Sequence, residues 1–242
     1  MKLVKLDAID STNDFLKDLV RNQIVENFTV VTAENQTNGK GQMGSIWVSE
    51  KGKNLIMSVL VKDFIFDAST VFNLNIVVSL AVISSLKSLN IPNLSIKWPN
   101  DIMSDEKKIG GILIENSFKS DSTINSIIGI GLNVNQTDFD LLPQASSLAL
   151  LTQNKVDRDK LLLNIVNVLK MNIESWEKSS TILRTNYSNL LFKKNVMMHF
   201  KNKDNTHFKG VIRGVSSDGK LEIISELGLQ VDFNIKEIQM VF

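Results

Sequence analysis

Residues 72–89 carry one charged side chain, Lys87, and no other stretch constrains the fold as strongly. Leu74, Val77, Val78, Ala81 and Leu86 recur at helical spacing, and the positions between them are almost as apolar. The pattern predicts a helix covered on most of its sides, the central helix of a core.

The segments around it supply the cover. Ser11-Thr12-Asn13-Asp14 is a helix-start pattern, followed by Phe15, Leu16, Leu19 and Val20 on one face, which predicts a first helix over 12–22. Phe28 to Thr32 and Asn54 to Val61 read as strands; in the second, Leu55, Met57, Val59 and Val61 alternate with Ile56, Ser58 and Leu60. Short strands over 94–97, 111–115 and 124–130, with a second long amphipathic helix over 158–178, complete an interleaved order. The expectation is an α/β domain of mixed type over 1–192. From 193 on the composition changes to short alternating runs at 196–200, 208–215, 221–224 and 229–233. Ser217-Asp218-Gly219-Lys220 reads as a hairpin turn, because glycine after Asp takes the positive φ such turns require. A small β module, SH3-like in size, is expected over 193–242.

The 242 residues, 43% hydrophobic and 22% charged, suit a folded protein with a substantial core. Lys+Arg 27 against Asp+Glu 26 leaves a formal charge of +1, so no overall field recruits nucleic acid or an anionic membrane. Any anion site must be local. With no Cys, disulfides, thiolate metal sites and a cysteine nucleophile are excluded. The only imidazoles, His199 and His207, both come late, which argues against a histidine-based triad or a multi-histidine metal centre. No run is apolar for the roughly 18 residues a membrane span needs, and the N-terminus meets Asp7 before any apolar run of signal-peptide length. The default expectation is a cytoplasmic protein.

Four of the chain's 12 glycines fall within residues 34–53, a stretch without helical or strand period. Loops of that length in compact domains tend to be lids or binding loops. Its Gly39-Lys40-Gly41-Gln42-Met43-Gly44 lets backbone N–H groups approach a ligand, and Lys40 supplies a cation. On its own this run reads first as a plain connector. It lacks the Gly-x-x-x-x-Gly-Lys-Ser/Thr spacing of a nucleotide loop, and no helix start follows it, as a dinucleotide fold requires. Lys97-Trp98-Pro99-Asn100-Asp101 ends a strand and turns outward carrying a cation, an amide and a carboxylate. Such a cluster suits phosphates and Mg²⁺, which prefers few carboxylates plus substrate oxygens; an ordinary Asn-Asp turn is the competing reading. Lys108 precedes Gly110-Gly111 and a nearly uncharged strand, where it either sits under an anion or is simply solvated. Asn133, after Gly129-Ile130-Gly131, binds a ligand or satisfies turn backbone.

Taken in order, Asp10-Ser11-Thr12-Asn13, Gln36 to Trp47, Lys97 to Asp101, Lys108-Ile109-Gly110-Gly111-Ile112-Leu113-Ile114-Glu115 and Gly129-Ile130-Gly131-Leu132-Asn133-Val134 resemble the catalytic domain of biotin–protein ligases. The resemblance implies a class II synthetase-like catalytic domain followed by a small SH3-like β-barrel. It implies that biotin and MgATP give biotinyl-5′-AMP, and that a lysine of a biotin carboxyl carrier protein domain then attacks this mixed anhydride. Such a reaction joins two anions, and cations with pre-aimed N–H groups serve it without a nucleophilic side chain.

Carried over position by position, Ser11, Thr12 and Asn13 would bind the ureido end of biotin, with Gln36 beside its rings. Gly39, Lys40, Gly41 and Gln42 would lie over its carboxylate. Lys108 would contact the same carboxyl or phosphate oxygen, making Lys108 and Lys40 the catalytic cations. Gly111 and Gly129 would let the biotin tail pass close to the backbone. Trp47, Asn100 and Asn133 would line the ATP side, while Lys97 and Asp101 would place phosphates or, for Asp101, the metal.

Many members of the resembled family have Arg at the positions of Lys40, Gln42 and Ser45. Lysine and glutamine lack the planar fork of arginine, so weaker adenylate retention or heavier use of backbone donors is expected. Some members begin with a helix-turn-helix domain. Here the first motif arrives ten residues in, so the expectation is a ligase without DNA binding, acting as a monomer or weak homodimer. Two alternatives stand beside it: a lipoate or octanoate ligase or transferase of the same architecture, and a non-catalytic biotin- or nucleotide-binding protein.

Overall fold

The structure is a computed structural model that describes residues 2–65, 70–118 and 124–241. Its larger part is a seven-stranded sheet built from β1 (Leu3–Leu6), β2 (Val30–Ala33), β3 (Leu55–Lys62), β4 (Leu94–Lys97), β5 (Asp101–Ser104), β6 (Lys107–Phe118) and β7 (Ile124–Leu132). The spatial order is β1-β2-β3-β7-β6-β5-β4. Only the β1/β2 pair is parallel, so the sheet is mixed.

The uncharged run forms α2 (Val71–Lys87), buried along most of its length. One face of the sheet packs on it, with Leu55, Met57, Val59 and Val61 of β3 and Ile128, Ile130 and Leu132 of β7 in that core. Burying one such side chain contributes about 1.5–3 kcal/mol, so this layer dominates the stability of the fold. The expected helix over 158–178 is two helices, α4 (Arg158–Glu174) and α5 (Trp176–Asn189), after a short α3 (Leu148–Thr152). The break falls at Ser175, whose N–H reaches back to the Met171 and Ile173 carbonyls. The break redirects the chain: α4 buries Leu161, Leu162, Ile165, Val166 and Leu169, and Trp176 then meets Phe64 edge-on.

The opposite face of the sheet is covered only in part. Helix α1 (Thr12–Asn22) starts where the pattern puts it, with Ser11 Oγ accepting from the Asp14 N–H at 3.3 Å. Its Leu16 packs with Val31, Leu60 and Ile127, the residues that alternation turns away from α2. Further along β6 and β7 that face is glycine at three of four positions: Gly111 pairs with Gly131, and Leu113 with Gly129. Beside the first turn of α1, these bare positions leave the sheet open.

The C-terminal part is a five-stranded antiparallel sheet of β8 (Met197–Asn202), β9 (His207–Val215), β10 (Leu221–Ser225), β11 (Gln230–Phe233) and β12 (Ile238–Val241). Its order is β11-β10-β9-β8-β12, so β11 and β12 are its two edges. The β9–β10 turn has Gly219 at φ +91°, as its sequence predicts. That turn also docks on the larger domain: Trp98 Nε1 donates to the Gly219 carbonyl at 3.0 Å, and Phe72 fills the space a Cβ at Gly219 would need. Among the described residues no helix is long and apolar enough to cross a membrane.

Candidate functional site

The open glycine patch is the floor of a cavity of about 330 Å³, and the loop over 36–47 is its roof. One end is polar without charge. Ser11, Thr12 and Asn13, each 2–3% exposed, enter it from the first turn of α1. The Thr12 N–H and Oγ1–H both donate to Gln36 Oε1, at 2.8 and 3.0 Å. Ser58 Oγ lies 2.8 Å from Thr12 Oγ1 and 2.6 Å from Asn13 Oδ1, and Asn13 Nδ2 donates to Glu115 Oε2 at 2.8 Å. A network so interconnected holds its members in fixed orientations, and the one Ser58 hydroxyl proton cannot serve both Thr12 Oγ1 and Asn13 Oδ1, which leaves one of these acceptors open. The ring of hydroxyls and amides presents both donors and acceptors, which suits a neutral polar group such as a urea.

Two lysines on the cavity wall, each paired with a carboxylate, carry its positive charge. Lys108 Nζ lies 2.6 Å from Asp101 Oδ1, and Lys40 Nζ lies 2.6 Å from Asp14 Oδ2. Lys108 is held by its backbone as well, since its N–H donates to the Gln144 carbonyl at 2.8 Å and its carbonyl accepts from Ser146 at 3.0 Å. Partial burial raises the Asp14 carboxyl, but the hydrogen bond and charge of Lys40, with help from Lys17, outweigh it and leave it below the usual range. The bond to Asp14 raises Lys40 in turn. Burial, aided by the neighbouring Lys108, lowers Lys97 against the pull of Asp101.

Trp47 lies across the glycine floor. A Cβ at Gly131 would stand 2.6 Å from its indole, and one at Gly129 would stand 2.7 Å from Asn13 Oδ1. Each glycine is therefore a close-approach position. The Trp47 indole N–H is buried with no acceptor among the described residues. Such a donor is ready for a ligand atom.

The cavity wall brings together Ser11, Thr12, Asn13, Gln36, Lys40, Gly41, Gln42, Trp47, Asn100, Asp101, Lys108, Gly111 and Gly129, all expected from the sequence. Three expected residues lie off the wall. Gly39 is packed behind it against Trp47 and Gln36. The Asn133 side chain points away, its Nδ2 donating to the Ser146 carbonyl at 3.1 Å, and so braces the segment that holds Lys108. Lys97 ends β4 opposite Asp101 in the ladder, with Asp101 and Lys108 as its charged neighbours on the wall. Asn100 lines the wall, but its Nδ2 already donates to the Ile112 carbonyl at 2.7 Å.

Residues the sequence did not single out are Gly131, Ile46, Ile56, Met57 and Leu113 on the wall, and Asp14, Ser58 and Glu115 behind it. Ser58 carried a signal: it is a polar residue inside an otherwise apolar strand. Gln42 and Ser45 stand where arginines were expected by resemblance, and they bond to each other, Ser45 Oγ donating to the Gln42 carbonyl at 2.8 Å. Asp101 is the one carboxylate on the cavity wall, and no cluster of three His, Asp or Glu suited to a metal occurs among the described residues.

Known proteins resemble this chain in sequence and in fold. The profile of the biotin/lipoate A/B protein ligase family matches residues 6–133. The bifunctional ligase/repressor BirA of Bacillus spizizenii is 34% identical over 168 residues, covering 68% of this chain and 51% of its own. The biotin–[acetyl-CoA-carboxylase] ligase of Mycobacterium tuberculosis is 30% identical over 161 residues, 65% of this chain and 59% of its own. The chain thus spans little more than half the length of these curated relatives. Among solved structures, the biotin protein ligase of Aquifex aeolicus in complex with biotin and ATP superposes with a TM-score of 0.80 at 27% identity, over 99% of this chain and 98% of that one. With the profile covering over half of its residues and the fold matched end to end, the chain belongs to the biotin/lipoate A/B protein ligase family.

Proposed function

We propose that this chain is an ATP-dependent biotin–protein ligase. It activates biotin as biotinyl-5′-AMP and passes the biotinyl group to a lysine of a biotin carboxyl carrier protein domain. The observation that carries the reading is the lining of one cavity: a ring of uncharged donors and acceptors from Ser11, Thr12, Asn13 and Gln36, a floor in which three positions are glycine, and two ammonium groups, Lys40 and Lys108, on the wall.

Ser11, Thr12, Asn13 and Gln36 take the ureido end of biotin, whose tail runs over Gly111 and Gly129 toward Lys108 and Lys40. There the carboxylate oxygen attacks the α-phosphorus of ATP; a C–O–P linkage forms and pyrophosphate leaves. Lys108 and Lys40 offset the repulsion between the two anions and steady the charge that develops between them. Trp47 and Asn100 face the nucleotide, with the Trp47 N–H as a free donor. In the second step the neutral amine of the acceptor lysine attacks the acyl carbon and AMP departs. Mg²⁺ fits here as an ion carried mainly by nucleotide phosphates, because the wall offers only Asp101, itself shared with Lys108. It would supply charge neutralisation there.

We read the catalytic domain over 1–192 as class II synthetase-like and the sheet over 193–242 as an SH3-like module, in a cytoplasmic protein that acts as a monomer or weak homodimer. Biotin-dependent exchange of pyrophosphate into ATP, followed by transfer of labelled biotin to a carrier domain, tests the proposal. Exchange driven by lipoic or octanoic acid but not by biotin would replace it with the related reading, and absence of exchange with any of them would leave a binding protein.

A further inference from the structure

We propose that Asp14 is a positioning residue for the glycine loop: its carboxylate holds Lys40 over the cavity until the anion of a ligand takes Lys40 over. The inference rests on the ligase reading only for the identity of that anion.

The ends of the loop are anchored to the body of the protein. The Thr37 and Asn38 N–H groups donate to the Ile9 and Asp10 carbonyls, and Trp47 lies on Gly131. The tip, residues 40–46, is different. Lys40 bridges to Ile46, the Gly41 N–H donates to the Ser45 carbonyl, and both the Ser45 N–H and its hydroxyl donate to the Gln42 carbonyl. All of these bonds stay inside the loop. Among the described residues, the one polar contact that ties the tip to the rest of the protein is Lys40 to Asp14, at 2.6 Å.

Asp14 is well placed for the task. It follows Thr12 and Asn13, which form the polar end of the cavity, so the tip is referenced to the helix turn that orients those residues. Lys17, one turn on, lies 3.5 Å from Asp14 Oδ1 and also pairs with Glu115, whose second oxygen accepts from Asn13. Tip, helix and cavity wall therefore share one chain of charged and hydrogen-bonded groups. Both Lys40 and Asp14 are about two-fifths exposed. A pair so exposed is weak enough to exchange partners and is screened by salt. A ligand carboxylate or phosphate in the cavity is the competing acceptor.

Trypsin reads the tether directly, because it cuts after Lys40 only when that side chain is released. The Lys40–Gly41 cut is measured on the full chain, ligand-free, relative to the cut after exposed Lys51. Asp14→Asn is expected to accelerate it by about two- to fivefold at low salt, the range an exposed ion pair spans. High salt should narrow the gap by speeding the wild-type cut. Asp18→Asn removes another α1 carboxylate, one paired with Arg21 rather than the loop, and should leave the cut unchanged. Equal rates for Asp14→Asn and wild type at low salt would overturn the tether. Saturating biotin should protect both proteins equally, as its carboxylate replaces that of Asp14. If biotin protects neither while the ligand-free difference persists, the hand-over and the ligase reading fall and the tether stands.

Discussion

Replacing Lys108 with Ala removes a backbone-braced ammonium from the cavity wall, and the loss can be estimated from its surroundings. Its Nζ is 2.6 Å from Asp101, and its backbone is pinned on both sides by Gln144 and Ser146. The donor therefore needs little reorganisation to meet charge as it develops. Losing one such preorganised donor costs about 2.7–4 kcal/mol, or roughly 10²–10³ in rate. A second effect adds to the first: Asp101, only 22% exposed, would lose its ion-pair partner beside two anionic substrates and keep only the more distant charge of Lys97. At about 4 Å and an effective dielectric near 20, two unit charges interact by about 4 kcal/mol. Because Lys108 is 39% exposed, solvent screens that to a fraction, so the donor loss dominates. The assay is the kcat/KM of biotin-dependent ATP–pyrophosphate exchange, with Lys107→Ala as control. Lys107, next along β6, is exposed and donates to the Pro143 carbonyl at 2.6 Å instead. A fall of about a hundredfold or more for Lys108→Ala, with the control near wild type, is expected. Near-normal turnover by a folded Lys108→Ala enzyme would remove Lys108 from the mechanism.

Three further outcomes follow from the geometry. Gly129→Ala places a methyl 2.7 Å from Asn13 Oδ1 and should break the Asn13–Ser58 pair, weakening biotin binding by about tenfold (1.4 kcal/mol) or more in a calorimetric titration; unchanged affinity would show that Asn13 does not hold biotin. Trp98→Phe deprives the buried Gly219 carbonyl of its donor at the contact between the two sheets, and should cost about 1–3 kcal/mol, read as a lower denaturant midpoint. The Glu222 carboxyl is pushed up by burial and by Asp232 and Asp218. A raised carboxyl means that the folded state holds the proton more tightly than the unfolded one, so ionised Glu222 lowers stability above its folded pKa and the penalty vanishes below 4.5. Glu222→Gln should therefore raise the melting temperature at neutral pH and lose that advantage on acidification below 4.5; a gain that persists in acid would refute the cause given.

Long periodic signals were legible because they extend over several turns. The uncharged run became α2, and Ser11 capped α1 over the span its pattern predicts. The alternation in β3 assigned Leu55, Met57, Val59 and Val61 to one face correctly, yet it gave no hint that the other face holds the cavity. Strands β1, β5 and β12 went unread while the equally short β4 and β11 were expected: four residues are too few for period alone to decide. The division of 158–178 into α4 and α5 was hidden for the opposite reason: both pieces are amphipathic, and the bend at Ser175 has no proline or glycine to announce it.

The site divides along the same line. Residue types with few other uses, a glycine-rich loop, Lys-Trp-Pro-Asn-Asp and a lysine before paired glycines, mark the cavity in the sequence because close approach and local cations restrict what can stand there. Partnership is different in kind. That Lys40 rests on Asp14, Lys108 on Asp101, and Asn13 on Ser58 and Glu115 depends on distances between segments far apart in the chain. That Asn133 turns away from the cavity to brace Ser146 depends on the direction of one side chain. The sequence by itself determined the core helix, the family resemblance and most of the wall, through composition and spacing. Only the tertiary structure decided which charges neutralise one another in the absence of ligand, because electrostatic pairing falls off over a few ångströms and spacing along the chain does not encode it.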